Sequence, residues 1–210
     1  MRNAVAGVLL AAGEGSRFGR PKALVELDGQ TLAERGITLL RAGGTDPVLI
    51  VTGAAQVDVR PEHQARTVYN EEWRTGMGSS LRAALRALTE LEAGPKAGPE
   101  IGAVVVALAD QPLVGAEAVG RLIAAYRAGA DVAVAAYGGK PRNPVLLARE
   151  HWPEVIATAT GDQGARAFLR ARSELVTLVE CGDTGRPDDI DTPADLEHIM
   201  VSRPGPPRSE

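Results

Sequence analysis

The stretch LLAAGEGSRFGRPK, Leu9 to Lys22, decides how this chain is read. An apolar run stops abruptly, and Gly13, Gly15 and Gly19 follow together with Arg17, Arg20 and Lys22. Glycine lets the backbone come close to a ligand and adopt conformations closed to other residues. Fixed cations at the same place give an anion partners, and charge-assisted hydrogen bonds contribute on the order of 1.5–3 kcal/mol each. Three phosphate-binding patterns compete. The dinucleotide fingerprint needs G-x-G-x-x-G, but the last gap here is one residue too long. That fingerprint also wants an acid after the second strand, and LIVTGAAQ is followed by none until Asp58. The P-loop spacing before a lysine and a hydroxyl is missing as well. What remains is an extended loop whose N–H groups from Ala12 to Ser16 wrap a nucleoside triphosphate, with Arg17 and Lys22 as its cations. The competing reading is a surface loop with solvated charges.

Outward from this loop, apolar runs alternate with amphipathic stretches. Ala4–Leu10, Pro47–Thr52 and Ile101–Leu108 read as buried strands, with Thr67–Tyr69, Asp131–Ala136, Val145–Leu147 and Leu175–Glu180 as further strands. Helices are expected at Thr31–Ala42, Met77–Leu91, Gly115–Arg127, Gln163–Ala171 and Thr192–Met200. Ala93–Glu100 reads as a Pro/Gly linker between elements, and YGGKPRNP as a polar break. The alternation predicts an α/β three-layer sandwich with a Rossmann-like, mostly parallel sheet. It predicts one domain over residues 1–201 and a disordered tail over 202–210. Sites in such sheets lie beyond the carboxyl ends of the strands. Gly13–Lys22, Asp110 and the Asp189/Asp191 pair all obey that rule.

Composition narrows the function classes. The chain has 210 residues, a formal charge of −4, 44% hydrophobic residues and 3% aromatics. That charge argues against a nucleic-acid or anionic-membrane binder. One cysteine, Cys181, allows neither an internal disulfide nor a thiolate metal site, and reads as an inert, half-buried residue beside a strand. The N-terminal apolar run is too short to span a membrane. A cytoplasmic protein is expected. His63, His151 and His198 lie outside every motif and read as structural or surface residues.

LAAGEGSRFGRPK resembles the L-A-A-G-x-S-x-R-[FM]-G-x-x-K signature of the MobA-like nucleotidyltransferases, with two residues, Glu14-Gly15, where the signature has one. Gly76-Met77-Gly78-Ser79-Ser80-Leu81, Ala109-Asp110-Gln111-Pro112, Gly161-Asp162-Gln163-Gly164-Ala165-Arg166 and Asp189-Ile190-Asp191-Thr192-Pro193 resemble further blocks of that family, in family order. Within it, the chain is most similar to molybdenum cofactor cytidylyltransferases. The resemblance implies the nucleotide-diphospho-sugar transferase type of fold. It also implies transfer of CMP from CTP to molybdopterin, a phosphorylated pterin, with release of pyrophosphate.

Such a reaction brings two anions together, and Mg²⁺ relieves their repulsion. Mg²⁺ takes oxygen ligands and only one or two protein carboxylates. Asp110, at the end of a buried strand, and Asp191 are the expected metal ligands; each could instead be a turn or N-cap residue. Asp189 is a lower-ranked third. Lys22 is expected near the α-phosphate or the incoming phosphate, and Arg17 at the β- and γ-phosphates. Arg17, Lys22 and Asp110 are thus the expected catalytic set. Leu10, Ala11, Ala12, Gly13, Gly15 and Ser16, with Met77, Ser79 and Ser80 opposite, are expected to bind the nucleotide. Leu10-Ala11-Ala12-Gly13 favours CTP, because the sister guanylyltransferases open more like L-A-G-G. Lys140, Arg142, Asp162 and Arg166 are expected around the acceptor, although Arg142-Asn143-Pro144 stands where the cytidylyltransferases read R-G-H-P. Lys140 and Arg142 could equally be an exposed basic turn. A molybdoenzyme receiving the product is the implied protein partner. The alternatives are a GTP-using guanylyltransferase, transfer to another phosphorylated cofactor precursor, and a nucleotide-binding or cofactor-delivery protein without turnover; an NAD-dependent oxidoreductase is disfavoured by the glycine spacing and the missing acid.

Overall fold

In the computed structural model of this chain, residues 3–93 and 100–201 are described. The linker read at Ala93–Glu100 and the tail read at 202–210 fall almost wholly outside them. The elements run β1 (Ala4–Leu10), β2 (Glu26–Leu27), β3 (Gln30–Thr31), α1 (Leu32–Ala42), β4 (Val48–Thr52), β5 (Ala65–Tyr69) and α2 (Met77–Ala93). They continue with β6 (Ile101–Leu108), α3 (Ala116–Arg127), β7 (Val132–Tyr137), β8 (Lys140–Ala148), α4 (Trp152–Thr158), α5 (Arg166–Ala171), β9 (Val176–Glu180) and α6 (Pro193–Val201).

Seven strands form one sheet in the order β5-β4-β1-β6-β8-β7-β9, and β2 pairs with β3 in a separate short hairpin. All the neighbouring pairs in the large sheet are parallel except those made by β8, which runs antiparallel to β6 and β7. The mostly parallel α/β sandwich is therefore the observed fold. Its cause is visible in β1. Val5 and Leu9 enter the core shared with α1 and α3, while Ala6, Val8 and Leu10 enter the core shared with α2 and α4. Successive side chains of a strand face opposite ways, so a strand covered on both faces must be apolar throughout. Burying each large aliphatic side chain contributes about 1.5–3 kcal/mol. Helix α1 starts at Thr31, whose hydroxyl accepts from Glu34 N–H while the Glu34 carboxylate accepts from Thr31 N–H.

Three details differ from the sequence reading. The polar break is not a break. Gly138 and Gly139 turn the chain in left-handed conformations, and Lys140–Ala148 is one continuous strand. Its last five residues are buried between β6 and β7, but its polar start pairs only with β7. The exposure of Lys140, Pro141 and Arg142 thus marks a strand that outruns one neighbour. The helix expected at Gln163–Ala171 begins only at Arg166, after a 3-10 turn at Gly161–Gln163 and Gly164 in a left-handed conformation. The short α4 and the β2–β3 hairpin had no counterpart in the reading.

A third apolar cluster places the C-terminal segment. Val25, Leu27 and Leu32 pack with Ile190 and Ile199, and Phe18, Leu113 and Leu196 flank them. This cluster fastens α6 and the segment before it over the carboxyl end of the sheet, beside the glycine-rich loop. No helix among the described residues is long and apolar enough to cross a membrane.

Candidate active site

The loop after β1 is built by its glycines. Gly15 is in a left-handed conformation (φ +65°), and a side chain there would run into the Arg20 carbonyl. Phe18 and Gly19 both donate their N–H to the Gly15 carbonyl, at 2.9 and 2.8 Å, which folds the loop back on itself. Nothing lies within 4 Å of where a Gly13 side chain would stand, so that stretch of backbone faces open space. The turn aims Lys22 inward and leaves Arg17 at the rim.

Lys22 is the centre of the site. Its Nζ donates to Asp110 Oδ2 at 2.9 Å and to Asp191 Oδ1 at 2.6 Å. The Arg17 guanidinium donates to the same Asp191 oxygen at 2.9 Å. Burial works against the Lys22 charge, but the hydrogen bonds and negative charges of Asp191 and Asp110 outweigh it and hold its pKa above the ordinary lysine value. The two carboxylates come from distant parts of the chain and are brought together by backbone. Ile190, fully buried, donates its N–H to the Asp110 carbonyl at 2.8 Å, so the residue between Asp189 and Asp191 is pinned to the end of β6. Asp189 Oδ1 accepts from the Gln111 amide at 2.8 Å. Burial of its charge pushes the Asp189 carboxyl up; the Gln111 hydrogen bond opposes this and the charges of Asp110 and Asp191 add to it.

Asp195 completes the frame. Its carboxylate accepts from the N–H of Asp191 (3.0 Å) and of Thr192 (2.7 Å), and the Thr192 hydroxyl accepts from Asp195 N–H. This reciprocal cap at the start of α6 holds the Asp191 backbone. The T-x-x-D spacing of Thr192 and Asp195 carried that signal in the sequence.

A cleft of about 690 Å³ opens beside these charges. Leu10, Ala11, Ala12, Gly13, Gly15, Ser16, Arg17, Lys22, Met77, Ser80, Asp110 and Asp162 line it. Ser79 stands behind the wall: it is buried, accepts from the Asn70 amide at 2.8 Å and lies 2.8 Å from the Gly76 carbonyl. Asp191 does not itself line the cleft; it is tied to it through its ion pairs with Lys22 and Arg17, which do. Lys140, Arg142 and Arg166 are exposed and do not line the cleft. Lys140 and Arg142 do sit at the same end of the sheet, because β8 starts where β7 ends. Trp73 and Arg74 also line the cleft and were not singled out in the sequence. The available signal was a tryptophan, rare in this chain, between the end of β5 and the start of α2. None of the three histidines lines the cleft. Cys181 is fully buried, and burial pushes its thiol up.

Residues 7–176 match the MobA-like NTP transferase domain. The chain belongs to that family. As a MobA-like protein it is a nucleotidyltransferase. It is 37% identical to the nicotine blue oxidoreductase of Paenarthrobacter nicotinovorans over 210 residues, 93% of this chain and 96% of that one. It is 43% identical over 86 residues to a probable molybdenum cofactor guanylyltransferase of Opitutus terrae, covering 40% of this chain and 41% of the relative. Its fold superposes with a TM-score of 0.67 on the manganese complex of Rv0371c from Mycobacterium tuberculosis, at 25% identity, covering 95% of this chain and all of the other.

The MobA-like site fits a divalent cation. Asp110 and Asp191 offer hard oxygen donors that already converge on a single positive charge, the Lys22 ammonium. A separate group, Asp131, Glu150 and His151, lies at the opposite end of the sheet, where β7 begins and β8 ends.

Proposed function

We propose that this protein is an Mg²⁺-dependent cytidylyltransferase that moves CMP from CTP to molybdopterin or a closely related phosphorylated pterin. The supporting observation is the Lys22 ammonium shared by Asp110 and Asp191 at the mouth of a loop-lined cleft. In the reaction an oxygen of the acceptor phosphate forms a bond to the α-phosphorus. The bond to the β-phosphate breaks, and pyrophosphate leaves with the electron pair. The attacking oxygen is already an anion near neutral pH, so no general base is needed. Asp110 and Asp191 would hold a bound Mg²⁺, which would supply positive charge between the two reacting phosphates. Lys22, held protonated by its surroundings, acts as a fixed positive charge toward the α-phosphate rather than as a proton donor. Arg17 holds the β- and γ-phosphates and steadies the leaving group. The backbone of Leu10 to Ser16 cradles the nucleotide, with Met77 and Ser80 on the facing wall. Asp162 borders the acceptor end, with Lys140, Arg142 and Arg166 outside it. The small residues Ala11 and Ala12 favour cytosine. The product passes to a molybdoenzyme in the cytoplasm.

The near full-length similarity to a protein named nicotine blue oxidoreductase favours a second reading, in which the same cleft serves a reduction. Pyrophosphate release, measured with each of the four NTPs, with and without Mg²⁺ and molybdopterin, separates the two. The transferase reading expects release with CTP only when both Mg²⁺ and molybdopterin are present. Release with GTP instead would replace the base assignment. No release with any NTP, together with oxidation of a nicotinamide cofactor by an aromatic acceptor, would establish the second reading.

A further inference from the structure

The wall of the cleft opposite the carboxylates carries an arrangement that phosphate chemistry does not use. Trp73 and Arg74 sit on a single 3-10 turn, Trp73–Thr75, between β5 and α2. The Arg74 guanidinium carbon lies 4.3 Å from the centroid of the Trp73 ring. Such a contact places a planar cation over a π-face.

The turn beneath it is tied down by hydrogen bonds. Asn70, buried, donates its amide to the hydroxyls of Ser79 (2.8 Å) and Ser80 (3.0 Å) and accepts from Glu72 N–H at 3.0 Å. The indole is seated against bare backbone at the end of β4. A side chain on Gly53 would stand 2.5 Å from Trp73 Cβ and 3.0 Å from the Ala12 carbonyl. Trp73 therefore packs closely on Gly53, whose own neighbour is the Ala12 carbonyl at the start of the glycine-rich loop. Arg74 is exposed, and among the described residues it has no carboxylate partner. Its neighbour Glu72 is committed elsewhere, to Arg82 at 3.0 Å. A guanidinium left unpaired, at fixed depth in a cleft, with one face on an indole, has its other face and its N–H edge to offer.

We infer that the Trp73–Arg74 stack is a platform for the planar heteroaromatic ring of a phosphorylated ligand bound in the cleft. The ring lies on the guanidinium to make a three-layer stack. The ligand class rests on the transferase reading; the ring is either the nucleobase of the donor or the heterocycle of the acceptor.

Tryptophan fluorescence tests this directly. Trp152 is buried at 2% exposure with its N–H on the Leu147 carbonyl at 3.2 Å, so quenching by a cleft ligand reports Trp73. The full chain is titrated with CTP, GTP, 6-hydroxymethylpterin and inorganic tripolyphosphate, the last having phosphates and no ring. At least one ring-bearing probe is expected to quench, and the one that does names the source of the ring. Arg74→Ala and, by calorimetry, Trp73→Leu are expected to weaken that probe about tenfold, the scale of one ring stacking on an aromatic side chain. Trp73→Phe, which keeps a ring, is expected to restore most of the affinity, and tripolyphosphate binding is expected to stay within about twofold in Arg74→Ala. The platform is overturned if no ring-bearing probe quenches, or if Arg74→Ala weakens tripolyphosphate as much as the ring-bearing probe. Pyrophosphate release without quenching would sink the platform and leave the transferase reading standing. Quenching without release from any NTP would do the reverse.

Discussion

Lys22 and Asp110 are separated by 88 residues in sequence, yet Lys22 Nζ lies 2.9 Å from Asp110 Oδ2. The contact joins the end of the glycine-rich loop to the end of β6, two adjacent parallel strands meeting at their carboxyl edge. Packing of β1 on β6 brings the two ends together, so the contact follows from the fold and needs no special device.

Asp110→Ala is expected to lower turnover by about 10²–10³-fold, the scale seen when one preorganised charge is removed from a reacting site. Stability should change little, because the pair is partly open to water and Lys22 keeps Asp191. Steady-state pyrophosphate release and a thermal melt on the same preparation check both halves. An unchanged rate would remove Asp110 from the metal site.

Lys22→Met separates two roles. The ammonium now neutralises Asp110 and Asp191, so it competes with any divalent cation for those oxygens. Removing it is expected to leave Mn²⁺ affinity unchanged or raised, since two uncompensated carboxylates attract a cation more strongly. Turnover is expected to fall at least about tenfold, because a charge-assisted contact to phosphate is lost. Electron paramagnetic resonance of bound Mn²⁺ gives the affinity. Loss of metal binding in this variant would mean that Lys22 organises the carboxylates rather than serving the phosphates.

How much of this was legible in the sequence depends on what each residue needs from its neighbours. Ile101–Leu108 could be read as a buried strand because its environment is apolar on both faces, and composition alone states that. The glycine-rich loop could be read because Gly15 must take a conformation that other residues resist. Lys140–Arg142 could not be read as strand, since their exposure comes from outrunning β6, a fact of sheet order. The Trp73–Arg74 stack was equally hidden. Its support comes from Gly53, just past the end of β4, and no local spacing records that contact. Asp195 lay between these cases: its cap was spelled out locally, but its hold on Asp191 mattered only once Asp191 met Lys22.

Asp195→Ala is expected to act on the metal through Asp191. The carboxylate that accepts from the N–H groups of Asp191 and Thr192 disappears, and the ligand-bearing backbone loosens. Removing an outer partner of a metal ligand costs roughly 10–100-fold in affinity or activity. Mn²⁺ affinity should fall in that range while the far-UV spectrum stays native, and Asp195→Asn, which keeps one acceptor oxygen, should recover part of it. Equal affinity in all three proteins would confine Asp195 to capping α6.

Glu180 provides a prediction in pH. Its Oε1 accepts from Gly138 N–H and Gly182 N–H and its Oε2 from Gly139 N–H, each at 3.0 Å. The Gly139 hydrogen bond, then those of Gly138 and Gly182, hold its pKa below the ordinary value of 4.5. A folded-state value below the unfolded one means that this contribution is fully present above the ordinary carboxylate range and is lost as pH falls through the lowered value. The carboxylate clips the turn that starts β8, so its protonation should release the tip bearing Lys140 before the core opens. In an amide NMR titration, the Gly138, Gly139 and Gly182 signals are expected to move together with a midpoint below 4.5, and the shared step should vanish in Glu180→Gln. A midpoint at or above the ordinary value, or three signals moving independently, would show that the clip does not hold in solution.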